Sequence, residues 1–232
     1  MIKKYYQYIK ETINVDIDPY GEEDWDDDNL PIILQIAKET GLPYDKIVEL
    51  DCSYIDLINL DGIQNLTNLQ RLYCSNNQLT NLNGIENLHK LKILSCHHNR
   101  LTNLDGIENL TNLEILRMSS NQIRNLNGIE NLTNLKVLDC SDNNLTNLNS
   151  IKNLINLSEL SCGYNQLTSL SDIGHLTKLR SLACSYNNIK NLDDIKNLTN
   201  LLKLNCWNNE FSEEYKKYLE DYCKKNSIAL NP

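Results

Sequence analysis

The chain has 232 residues, 41% of them hydrophobic and 23% charged, with a formal net charge of -9. That is enough apolar material for one elongated core, and the excess of acid over base disfavours nucleic acid as a ligand. No segment offers the ~20 consecutive apolar residues of a membrane-spanning helix, so no membrane partner is expected.

Residues 1–46 read as an N-terminal helical cap with an acidic loop. The stretch "IKKYYQYIKETI", from Ile2, has the spacing of an amphipathic helix. Met1 to Ile13 holds no uninterrupted apolar run like that of a secretory signal, and no lipidation signal ends the chain, so a cytoplasmic location is expected. Residues 16–28, "DIDPYGEEDWDDD", carry eight acidic residues and no basic one, leaving a net charge of about -1 for everything else. Such a run is either a solvated loop or an acidic peptide that docks a basic partner or folds against the rest of the chain. A second helix is predicted near Leu30 to Glu39, with Pro31 in its first turn and Gly41 just past its end.

From Ile47 the sequence repeats with a period of 22: "LQRLYCSNNQLTNLNGIENLHK" from Leu69, then "LKILSCHHNRLTNLDGIENLTN" from Leu91. Further units open at Leu113, Leu135, Leu157, Leu179 and, truncated, at Leu201. One such unit cannot bury its own leucines, so neighbours must stack into a continuous core. Place 6 of the unit is Cys52, Cys74, Cys96, Met118, Cys140, Cys162, Cys184 and Cys206. Alternation along a strand puts it on the same face as the place 4 leucine, and the methionine shows that the place takes an apolar, polarizable filler. Stacked side chains pointing the same way have poor disulfide geometry, so free thiols and a reducing compartment are expected. Place 9 is Asn from Asn77 to Asn209, a buried amide that adjacent backbone must satisfy. Place 15, for example Asp61, Asn83 and Ser171, favours helix N-caps, so a short helical turn is predicted after it.

These units, built on L-x-x-L-x-C-x-x-N-x-L over residues 47–210, resemble the leucine-rich repeat family, in the 22-residue form of internalins and of the repeat-type regulatory subunit of protein phosphatase 1. The cysteine variant and the heavy Asn, Ile and Lys usage also resemble repeat proteins of giant amoeba viruses. The resemblance implies an α/β solenoid with a parallel β-sheet on the concave face and short helical turns on the convex face. Residues 211–232 then read as a C-terminal capping helix, opened by Ser212 as N-cap, with Tyr215, Tyr218, Leu219 and Tyr222 at helical spacing.

Function is expected where side chains vary over a constant frame. Place 3 sets Ile93, Ile115 and Val137 in consecutive turns, an apolar stripe about 10 Å long on the concave face. Beside it lie Tyr73, Arg117 and Asp139 at place 5, and His97, His98, Asp142, Tyr164, Tyr186 and Trp207 at places 7 and 8. Aromatic residues and Arg around an apolar centre match the make-up of interface cores, which points to a non-catalytic module binding a protein or peptide. The plainer alternative is that β-branched residues merely suit strands and that Arg117 pairs with Asp139. A regulator or inhibitor of a bound enzyme is the alternative function.

The tripeptide Cys96-His97-His98 suggests a metal site at first sight. A zinc site needs three or four convergent ligands, and with Cys96 turned inward only Asp142 comes within reach, so neither metal nor cofactor is expected. The chain shows no Gly-rich phosphate loop and no Ser-His-Asp arrangement outside the repeat, and 22 residues after the last turn are too few for a catalytic domain. No enzyme activity is expected.

Overall fold

The computed structural model of the protein describes residues 31–231. The helix predicted after Ile2 and the acidic segment 16–28 lie outside them.

The 22-residue period becomes one nine-stranded parallel sheet whose strands follow sequence order. They are β1 (Glu49–Asp51), β2 (Arg71–Tyr73), β3 (Ile93–Ser95), β4 (Ile115–Arg117), β5 (Val137–Asp139), β6 (Glu159–Ser161), β7 (Ser181–Ala183), β8 (Lys203–Asn205) and β9 (Ala229–Asn231). From β1 to β8 every residue pairs with its equivalent in the next unit, as Leu72 with Leu94 and Leu116 with Leu138. The leucine at the centre of each of these strands points into the core, which leaves places 3 and 5 on the outer, concave face. Leucines and isoleucines of places 1, 4, 11, 14, 17 and 20 form one continuous buried column through the stack.

The place 6 thiols lie in that column with at most 3% of their surface exposed. Burial pushes Cys52, Cys96 and Cys206 up to about 12, and Cys74, Cys140, Cys162 and Cys184 well above the ordinary thiol range. All eight cysteines of the chain are unpaired and buried. Native protein exposed to iodoacetamide at mildly alkaline pH is therefore expected to keep its mass, whereas the unfolded chain gains eight adducts. Rapid labelling of any place 6 thiol in the native state would place it outside the core.

The convex side differs from the N-cap expectation. The side chain at place 15 caps nothing; instead place 13 accepts from the place 15 N–H, as Asn81 Oδ1 does from Asn83 at 3.0 Å and Ser169 Oγ from Ser171 at 3.1 Å. Beyond this bond the backbone at place 16 takes one of two conformations. Gly62, Gly84, Gly106 and Gly128 adopt φ between +94 and +102°, a turn only glycine enters cheaply; a short 3₁₀ helix follows Gly62 at Ile63–Asn65, and none forms after the other three. In the next three units Ser150, Asp172 and Asp194 replace that glycine, and short 3₁₀ helices form at Asn149–Ile151, Ser171–Ile173 and Asp193–Asn197. Place 15 is thus the first helical residue there, not the cap.

Both ends of the stack are covered. Helix α1 (Ile32–Glu39) buries Ile33, Leu34, Ile36 and Ala37 over the first turn, with Pro31 as its N-cap and not inside its first turn. At the other end α2 (Glu213–Lys225) buries Leu219 and Cys223, and Ser212 Oγ accepts from the Tyr215 N–H at 3.1 Å. Tyr215 Oη accepts the backbone N–H of Leu192 at 2.7 Å, so the cap satisfies a donor of the last complete turn. The terminal segment is more than a helix. After α2 the chain crosses over and adds β9 parallel to β8, pairing Leu230 with Leu204.

Candidate functional site

The concave face and the edge where the strands end carry the residues singled out from the sequence. Ile93, Ile115 and Val137 are register neighbours in β3, β4 and β5, so the apolar stripe exists. It is half-buried, not fully open, because each member is flanked by its own equivalent one strand away. Arg117 and Asp139 are also register partners, yet they form no ion pair among the described residues. Asp139 turns to its own chain, where Oδ1 accepts from Ser141 N–H at 3.1 Å and from Ser141 Oγ at 2.5 Å. Arg117 is exposed and Tyr73 half-buried beside the stripe.

Place 8 has a constraint invisible in the alternation pattern. There the chain turns away from the strand, and Tyr54, His98, Asp142, Tyr164 and Tyr186 take φ between 52 and 62°, the left-handed region. The turn is held by ladder bonds such as Tyr164 N–H to Ser185 O and Tyr186 N–H to Trp207 O, at 2.9 and 3.0 Å. Asn76 and Asn208 fill the same place in other turns, as the left-handed region favours. A tyrosine there costs about 1–2 kcal/mol. Even so, two follow each other: the rings of Tyr164 and Tyr186 stack at 4.0 Å and 20°, and Trp207 meets Tyr186 edge-on at 4.4 Å. Tyr164 remains 51% and Trp207 38% exposed. Tyr54, 70% exposed in the same left-handed place of the first turn, belongs to the column but was not singled out from the sequence. Its place in the repeat was the available signal.

The histidines divide. His98 is exposed, whereas His97 is drawn in: its Nδ1 lies 2.8 Å from Ser75 Oγ and 3.0 Å from Ser95 Oγ, both buried hydroxyls. His97 is therefore not simply a surface residue at a strand end. Among the described residues no three His, Cys, Asp or Glu side chains are grouped so as to hold a metal.

Burial, and next the neighbouring His98, hold the His97 imidazole below its ordinary 6.5, outweighing an opposing pull from Asp139. Protonation then costs the folded state more than the unfolded one. Stability is complete above 6.5 and falls as the pH drops from there through the folded-state value. Thermal unfolding of His97→Asn is expected to show a shallower loss between pH 7 and 5 than the parent; equal slopes would contradict the assignment.

Three comparisons bear on this geometry. The chain matches the model of the leucine-rich repeat region over residues 47–225. Among solved structures it is similar to internalin C2 of Listeria monocytogenes, at 32% identity and TM-score 0.72, covering 73% of this chain and 75% of that one. It is also similar to the functional domain of InlJ from Listeria monocytogenes, described as including a cysteine ladder, at 32% identity and TM-score 0.68 over 73% of this chain and 37% of that one. A third likeness, to the internalin InlF of Listeria monocytogenes, has 26% identity and TM-score 0.65 over 86% and 65% of the two chains. No curated protein matches the sequence. With its period, its stacked parallel strands and this match over more than half its length, the chain belongs to the leucine-rich repeat family.

Proposed function

We propose that the protein is a non-catalytic binding module that holds a protein or peptide partner on its concave face, along the strand-end edge from His98 to Trp207. One observation carries the reading. Tyr164 and Trp207 are exposed with the half-buried Tyr186 stacked between them, and the two tyrosines sit in a backbone conformation that disfavours them. Strain of this kind persists where a function needs the side chain, and exposed aromatic clusters are where interface energy concentrates. The half-buried Ile93, Ile115 and Val137 stripe with Arg117, Asp139 and Tyr73 extends the same surface.

Binding fits better than catalysis. The hydroxyls next to His97 belong to Ser75 and Ser95, only 3% and 4% exposed, so no substrate reaches them. The eight buried thiols fit a reducing compartment such as the cytoplasm. A direct test is capture from an extract of the source cell with immobilised parent protein and with Tyr164→Asn plus Trp207→Ala. Whatever the parent retains specifically should be lost by the double variant and kept by Lys152→Ala, an exposed convex control. Equal recovery by all three would remove the aromatic edge from the binding site.

A further inference from the structure

The edge where the strands begin has the opposite character. Places 22, 2 and 3 bring Lys90, Lys92, Lys136, Lys178, Arg180 and Lys203 to one side of the stack, although no two neighbours in this set except Lys90/Lys92 and Lys178/Arg180 are close in sequence. A linear reading finds no basic stripe; folding assembles one on a chain whose net charge is -9.

Its densest part is an open groove of ≈ 790 Å³ lined by Lys136, Lys178, Arg180 and Lys203, with Glu159 and Leu202 among its walls. Lys136 is answered by Glu114 at 2.5 Å, while Lys178 only donates to the Asn156 amide oxygen at 2.6 Å. Among the described residues Arg180 and Lys203 have no ion-pair partner. The rim is stiff: the Asn134, Asn156 and Asn200 amides each donate to the preceding turn, to Thr111 O, Thr133 O and Thr177 O at 2.9, 2.8 and 2.7 Å. From Lys136 to Lys203 the groove crosses three strand spacings, about 14 Å. That is the length of four or five residues of extended peptide at about 3.3 Å each.

We propose that this groove binds an extended acidic peptide segment of a partner protein, at a site separate from the aromatic edge. Unanswered cations supply the attraction, and Leu202, 56% exposed, supplies an apolar contact. Nucleic acid fits less well because no aromatic side chain lines the groove to stack a base. Glu159, the one carboxylate of the lining, selects against a dense run of charge and favours acidic residues interspersed with neutral ones.

The test is fluorescence anisotropy with the full chain and a fluorescein-labelled decapeptide of alternating Glu and Ser. Binding is expected at low ionic strength and should be largely lost at about 0.5 M salt, where screening is complete within a few ångström. Arg180→Glu plus Lys203→Glu should weaken it at least about tenfold, and Arg180→Gln plus Lys203→Gln by less, with unfolding transitions like the parent's. Lys152→Glu and Tyr164→Asn should leave it unchanged, the latter separating this site from the aromatic edge. Three results would overturn the proposal: no binding of the acidic peptide, tighter binding of a labelled ten-nucleotide oligouridine, or equal binding by the charge-reversed variant. A fourth is binding only after the acidic residues of segment 16–28 are replaced by Asn and Gln in the full chain. The occupant would then be the chain's own segment and not a partner.

Discussion

Asn143→Ala is expected to destabilise the protein by about 3 kcal/mol, from one buried N–H left unpaired at about 1–3 kcal/mol and from hydrogen bonds lost at three carbonyls that each keep a second donor. The amide of Asn143 donates to Met118 O, Cys140 O and Ser141 O at 3.1, 3.3 and 3.1 Å, and its oxygen accepts the Ile123 N–H at 2.9 Å. One side chain thus stitches its own turn to the one before it, and the same pattern recurs from Asn77 to Asn209. Alanine keeps the strand but leaves the Ile123 N–H unpaired in the core. Met118 O, Cys140 O and Ser141 O each lose one donor and keep another, respectively Asn121 Nδ2, Asn165 Nδ2 and the Ser120 N–H. Asn209→Ala, in the last turn where the site is only half-buried, should cost less, about 1–2 kcal/mol, because water reaches the freed groups. Urea unfolding of both variants checks the difference; similar small losses at the two positions would show that the column is not what couples the turns.

The second large effect separates function from fold. Tyr164→Asn combined with Tyr186→Asn is expected to change stability by less than about 1 kcal/mol while weakening partner binding by roughly 30-fold or more, about 2 kcal/mol. Asparagine relieves the left-handed backbone, offsetting the lost stacking of about 0.5–1.5 kcal/mol per ring pair. Asn76 and Asn208 already show that the place accepts it. Partner affinity measured by calorimetry beside the unfolding midpoint decides the matter. A variant that unfolds early and binds poorly would make the tyrosines structural.

Most of the frame was legible because the repeat imposes it. The period located β1 to β8, the inward thiols and the asparagine column, since a residue that recurs every 22 positions must meet the same surroundings each time. Three things were not. The β9 strand has three residues, too few for an alternation signal, and exists only because α2 returns the chain to the sheet. The place 15 side chains look like caps, but where the 3₁₀ helices form, the cap is place 16 in the first unit and place 14 in the last three. The basic edge joins residues of different turns, and the inward turn of His97 rests in part on Ser75, 22 residues away, both beyond any local window. Of the candidate surface, sequence reading named the aromatic and apolar residues but not the left-handed backbone that makes Tyr164 and Tyr186 costly.

The most direct measurement is photocrosslinking in the source cell with p-benzoylphenylalanine placed at Tyr186 in one variant and at the convex Lys152 in another. The proposed surface predicts a discrete covalent adduct with one partner from position 186, competed away by the unlabelled parent, and none from position 152. An adduct from the convex position alone, or none from position 186 under conditions where the parent retains a partner, would contradict it.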